Sequence, residues 1–96
     1  MIESFGNPLA EDLFYDRVSK ATRRFPPDIR RAARRKLLYL HDAFDLRDLR
    51  VPPGNRLEAL KGGLKGFHSI RINDQWRVIF QWAGGNAKNV QIVDCH

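Results

Sequence analysis

Apolar residues at Ile29, Ala33, Leu37, Leu40 and Phe44 recur at steps of four, four, three and four, the spacing of a single helix face. Pro26-Pro27 halts the chain just before them and supplies a start, so the pattern predicts a helix with a core-facing stripe. An earlier helix is predicted from Pro8, which suits a first turn, with Asn7 as its N-cap and Leu9, Leu13 and Phe14 at helical spacing; it should end near Lys20. Met1 to Phe5 alternates weakly, as a short strand would. Residues 45–55, which include Pro52-Pro53-Gly54-Asn55, read as an irregular connection, and beyond them the period changes to two. Arg56 to Leu60, Phe67 to Ile72, Gln75 to Trp82 and Asn89 to Cys95 are predicted strands. They are separated by a glycine-rich loop that begins at Lys61-Gly62-Gly63, by the tight turn Asn73-Asp74, and by Gly84-Gly85-Asn86. The last three strands form an antiparallel meander, and the two helices must cover one of its faces. The expected fold is a single small α+β domain over residues 1–96.

Length and composition narrow the functions available. Ninety-six residues support one core and no more. No apolar run approaches the roughly 20 residues of a membrane span. The start of the chain, with Glu3 and Asn7, lacks the basic-then-apolar layout of a secretion signal. A cytoplasmic location and no membrane partner are therefore expected. The single cysteine, Cys95, excludes an internal disulfide, and with His41, His68 and His96 it matches no metal-ligand spacing. Neither a metal nor a cofactor is predicted.

The net charge of +6 is unevenly distributed. From Lys20 to Lys36 eight basic residues (Lys20, Arg23, Arg24, Arg30, Arg31, Arg34, Arg35, Lys36) meet one acid, Asp28, so this segment carries +7 while the remaining nine basic and ten acidic residues net −1. Arg30, Arg31, Arg34 and Arg35 lie largely off the apolar stripe, so the second helix projects a basic surface. Such a surface on a near-neutral body is the electrostatic footprint of a polyanion or an acidic partner.

One charge stands inside an apolar strand. In Trp76-Arg77-Val78-Ile79-Phe80-Gln81-Trp82, alternation puts the aromatics and Val78 on one face and Arg77, Ile79 and Gln81 on the other. Either Arg77 is an ion-paired or snorkelling side chain, or its guanidinium grips a phosphate or carboxylate. The meander brings Lys61, at the mouth of the loop holding Gly62, Gly63 and Gly66, towards Arg77 and the terminal Asp94-Cys95-His96. Lysine, arginine and histidine around one sheet face suit metal-free RNA cleavage. In that reaction the 2′-hydroxyl attacks the adjacent phosphorus, cations stabilise the phosphorane, and an imidazole protonates the leaving 5′-oxygen. Each residue also has a plainer role: Lys61 as a solvated turn residue, Asp94 as a partner of Arg77, Cys95 as a small buried side chain, His96 as a frayed end.

The segment Asn55-Arg-Leu-Glu-Ala-Leu-Lys-Gly, then Ser69-Ile-Arg-Ile-Asn-Asp-Gln-Trp-Arg-Val-Ile-Phe, then the closing Val-Asp94-Cys95-His96 resemble the HigB branch of the RelE toxin superfamily. Ile2-Glu3-Ser4-Phe5 and Leu46-Arg-Asp-Leu-Arg-Val-Pro-Pro-Gly share the resemblance, which therefore spans essentially the whole chain. It implies a RelE-like fold, with two N-terminal helices packed on a small, mainly antiparallel β-sheet. It also implies the toxin of a type II toxin-antitoxin pair, a ribosome-dependent endoribonuclease that cuts translated mRNA. A HigA-type helix-turn-helix antitoxin would silence it, and operator DNA would be met only through the toxin-antitoxin complex. By the same resemblance Lys61 contacts phosphate, Arg77 stabilises the transition state, and Asp94 and His96 belong to a terminal Asp-Tyr-His motif. Arg71 and Lys65, with Arg30, Arg31, Arg34 and Arg35 of the basic helix, are the expected nucleic-acid contacts, the helix docking on ribosomal RNA or on the antitoxin. Two positions depart from the family. Cys95 replaces a tyrosine that would stack on a base, a loss of ~1–3 kcal/mol that slows cleavage, unless Phe67 reaches the face of Arg77. Glu58 stands where some members carry histidine and is either a substitute base or an exposed residue. His68 is expected on the core side with Ile70 and Ile72, in a structural role. The alternative reading is a catalytically weak homologue that acts as a binding module in antitoxin-dependent autoregulation.

Overall fold

Asn7 caps α1 (Pro8–Phe14) in the computed structural model, which describes residues 1–94. Its Oδ1 accepts from the Ala10 N–H at 3.1 Å while its Nδ2 donates to the Ile92 carbonyl at 3.0 Å, so one side chain both starts the helix and ties it to the last strand. The helix stops at Phe14 rather than near Lys20. Asp16 adopts a left-handed φ of 56°, and the Arg17 and Asp16 amides turn back to the Asp12 and Leu13 carbonyls at 2.8 and 3.3 Å. That satisfies the carbonyls a longer helix would have used.

In α2 (Pro27–Asp42), Ala33, Leu37 and Leu40 are buried completely, as their spacing predicts. Phe44 departs from the stripe. The helix ends at Asp42, Ala43 is extended with ψ 132°, and Phe44 is 90% exposed. Lys36, counted above in the basic segment, is only 8% exposed, because position 36 shares a helix face with 33, 37 and 40.

Four strands, β1 (Glu58–Ala59), β2 (Phe67–Arg71), β3 (Trp76–Ala83) and β4 (Asn86–Asp94), form a sheet in the order β1-β2-β3-β4, every neighbour antiparallel. Two of them differ from expectation. β1 is a remnant of the predicted Arg56–Leu60, because Arg56 takes a left-handed φ of 46°. β4 starts earlier than Asn89, which lies inside it at φ 51° beside a bulge where the register shifts between Ile79 and Gln81. The N-terminal segment joins the far side of β4 through two parallel bridges, Ile2 to Ala87 and Phe5 to Val90, rather than as a strand. The Ile2 amide also donates to His41 Nδ1 at 3.1 Å. Residues 45–55 contain two short 3-10 turns, Leu46–Arg50 and Pro53–Asn55. Both helices pack on one face of the sheet, where Leu13, Leu37, Leu40, Ile70, Val78, Phe80 and Val90 close a single core. The other face carries the candidate chemistry.

Candidate functional site

Alternation along β3 sends Val78 and Phe80, flanked by Trp76 and Trp82, towards the helices and leaves Arg77, Ile79 and Gln81 outward. Register then determines their company. Phe67 lies opposite Gln81, Ser69 opposite Ile79, Arg71 opposite Arg77, and Glu58 opposite Ser69. Glu58, Phe67, Arg71 and Arg77 thus share the outer face. With strands about 4.8 Å apart, the backbones of Glu58 and Arg77 are ~12 Å from each other, a gap long side chains can bridge around a phosphate.

Arg71 and Arg77 are a direct cross-strand pair of like charges, an unfavourable arrangement unless anions intervene. Arg71 is drawn to Asp74 by an ion pair. The Arg77 guanidinium donates to the carbonyls of Asn73 and of Trp76, the latter at 3.1 Å, and to no carboxylate among the described residues. Backbone carbonyls fix its direction without neutralising its charge. The ion-pair explanation of Arg77 therefore has no support among these residues, and what remains is an oriented cation with unused donors.

Lys61 and Lys65 are exposed on the loop closed by the Leu60 amide donating to the Phe67 carbonyl at 2.9 Å, beyond the end of β2 away from the Arg71–Arg77 pair. Gly62 and Gly66 have φ of 65° and 95°, so this loop needs glycine for its backbone shape. Asp94 stands opposite Trp76, which by alternation directs it to the face away from Arg77, and its carboxylate accepts from Gln75 Nε2 at 3.0 Å. Cys95 and His96 lie outside the described residues. His68 is on the core side, its ring 5.9 Å from that of Phe80 and nearly parallel to it, with a buried Nδ1 that has no hydrogen-bond partner among the described residues.

The cations of α2 form a second region. Arg31 and Arg35 are exposed and Arg30 and Arg34 half-buried. Arg30, Arg31 and Arg34 line a cleft of about 310 Å³ against the end of α1, shared with Asp12, Arg17 and Thr22. This region sits on the helix layer, so the fold does not place it beside Arg77. Lys36 is where the two regions draw near: burial, then the charges of Arg35 and Arg71, hold its ammonium below the usual lysine range. Its partner is Asn55, which is fully buried. Sequence reasoning missed both, although 33, 36, 37 and 40 carried the signal. Among the described residues no group of three or more His, Cys, Asp or Glu could hold a metal ion.

Residues 4–96 match the family model described as the RelE-like toxin of type II toxin-antitoxin system HigB. Toxin HigB-1 of Vibrio cholerae serotype O1 is 49% identical over 92 residues, 96% of this chain and 95% of that protein. An uncharacterised protein of Haemophilus influenzae is 30% identical over 69 residues, 72% of this chain and 68% of its own length. Among solved structures, the YoeB-YefM complex from Staphylococcus aureus aligns at a TM-score of 0.61 with 18% identity over 100% of this chain and 98% of that one. YafQ from E. coli strain BL21(DE3) aligns at 0.59 with 15% identity over 98% and 93%. At these identities the two structures speak for the fold alone. No helix of the described residues is long and apolar enough to cross a membrane.

Proposed function

We propose, from the premise that this chain belongs to the HigB-like family of RelE-like toxins of type II toxin-antitoxin systems, that it is a ribosome-dependent endoribonuclease cutting translated mRNA. The observation that carries this reading is the outer sheet face, where Arg77 is oriented by carbonyls and paired across strands with Arg71. Cleavage by 2′-hydroxyl attack needs cations aimed at the developing phosphorane, and a guanidinium held in place supplies this without reorganising. Lys61 adds a second cation at the loop, and Glu58, on the face of Arg77, takes the part of the base that accepts the 2′-hydroxyl proton. His96 is assigned the transfer of a proton to the leaving 5′-oxygen. Lys65 extends the track for the mRNA backbone, and Arg30, Arg31, Arg34 and Arg35 engage ribosomal RNA. A HigA-type antitoxin is the proposed partner, in keeping with the YoeB-YefM pairing of a structural neighbour. Operator DNA would be reached only through that complex, and the site of action would be the cytoplasm.

The test is induction of the protein in cells followed by mapping of mRNA 5′ ends. New ends inside translated codons are expected, reduced ~10²–10³-fold by Arg77→Ala, the loss typical of removing one preorganised donor. Intact transcripts and normal growth would sink the nuclease and favour a binding module, a reading that Cys95 in place of the family tyrosine keeps in play.

A further inference from the structure

Lys36 and Asn55 are the buried polar pair that the chemistry above does not use. Lys36 is 8% exposed and donates from Nζ to Asn55 Oδ1. Asn55 is 0% exposed, and its Nδ2 donates to the carbonyls of Leu49 at 3.1 Å and Val51 at 3.3 Å. Both ends of one amide are thus committed to joining α2 with the two 3-10 turns. No carboxylate neutralises Lys36 among the described residues; its other contact is the Tyr39 ring, 5.7 Å from Nζ. An ammonium buried this way is expensive, and an apolar side chain of similar length would fill the space with less desolvation. Its advantage is direction: it fixes where Asn55 sits.

Asn55 opens the segment that ends in Lys61. Directly after it Arg56 takes its left-handed turn, and then comes β1, which has two residues, both exposed. An edge strand of that length is held by Glu58 opposite Ser69, Ala59 opposite His68, the Leu60 amide on the Phe67 carbonyl, and Leu57 just before it, which packs against the core. The arm that carries Glu58 and Lys61 therefore has a single core contact of its own before β1, at Leu57, and the buried turn at Asn55 fixes where it starts. We infer that Lys36 is a positioning residue: through Asn55 it sets the 49–55 turns and thereby places Glu58 and Lys61 against the Arg77 face. The lowered pKa of Lys36, with burial as its first cause, agrees with an ammonium kept at this point against its own desolvation. The inference deepens the nuclease reading and rests on it for the chemical consequence, though not for the positioning itself.

The experiment is amide hydrogen exchange on the full chain, comparing wild type with Lys36→Met and Asn55→Ala, alongside cleavage of ribosome-bound mRNA. Exchange at Glu58 and Leu60, whose amides face β2, is expected to quicken ~10-fold or more, while β3 and β4 amides stay within about 2-fold, the mark of local rather than global opening. Cleavage at saturating ribosomes should slow, while the ribosome concentration giving half-maximal rate stays unchanged. Lys36→Arg, which keeps a charged donor towards Asn55, should restore part of both. Uniform quickening of all strands, or unchanged arm amides, would overturn the positioning role. So would a loosened arm that cleaves at the wild-type rate. If the wild type cuts nothing, the nuclease reading fails, and the exchange data still decide whether Lys36 places the arm.

Discussion

At position 36 burial and charge act against each other. The folded state lowers the Lys36 pKa, by burial first and then by Arg35 and Arg71, so between that lowered value and the ordinary 10.5 the unfolded chain binds more protons than the native one. Stability must therefore rise with pH across this interval, and below it the full penalty of the charged form applies. The neutral amine still donates to Asn55, so the bond survives the gain. Subtracting Lys36→Met from wild type cancels the other alkaline titrations. The difference in unfolding free energy between the two is expected to shift in favour of wild type as pH rises towards the ordinary lysine value, measured by denaturant melts. A shift in the opposite direction would mean that the fold prefers the ammonium. This balance was hidden in the sequence because Lys36 adjoins Arg34 and Arg35 and reads as one more surface cation. Arg77 was legible for the converse reason: a guanidinium between Trp76 and Val78 has no solvated run to belong to. Its carbonyl partners, by contrast, depend on how the Asn73 turn folds back, which no spacing encodes.

Among the elements, α1 depends most on a single side chain. Seven residues are too few for a helix to persist on propensity alone, so its order comes from packing and from Asn7. Asn7→Ala removes the Ala10 cap and the bond to the Ile92 carbonyl together. A lost cap costs ~1 kcal/mol and a lost part-buried hydrogen bond about as much, so a fall in Tm of roughly 8–16 °C is expected by calorimetry. Asn7→Asp keeps the cap and loses the donor, and should fall between. An alanine variant melting with wild type would show that the core alone holds the helix against β4. The start of each helix was readable, since proline and the capping asparagine act locally. The ends were not. α1 stops where Asp16 turns left-handed, and α2 stops before Phe44, although apolar spacing ran on past its end. Apolar spacing marks which face could pack but not where partner surface runs out. β1 shows the same limit, because a strand's length depends on its neighbour's hydrogen bonds and not on its own alternation.

Across the whole molecule the positive charge falls into two regions divided by the thickness of sheet and helices. The Arg71–Arg77 face is small and oriented, and the α2 surface is broader and solvated, with Arg31 and Arg35 exposed and free of ion pairs among the described residues. Concentration of the +7 segment in and just before one helix was plain in the sequence, whereas its separation from Arg77 follows from which face the helices cover. The two regions should therefore fail differently. Solvated arginines contribute to binding through counterion release, which is sequence-independent and falls steeply with salt. Reversing them in Arg31→Glu/Arg35→Glu should weaken association with ribosomes and reduce the slope of log affinity against log salt by about 1 for each phosphate no longer neutralised. Stability should stay within ~0.5 kcal/mol, since both side chains are surface groups. Cleavage of mRNA already bound should proceed at the wild-type rate, because the Arg77 face is untouched. Arg77→Ala should show the reverse: a salt slope lowered by no more than the one phosphate it grips, and a cut slowed ~10²–10³-fold. Equal losses of rate and affinity in both variants would mean that a single polyanion runs continuously from helix to sheet, and that the division of labour read from the fold is wrong.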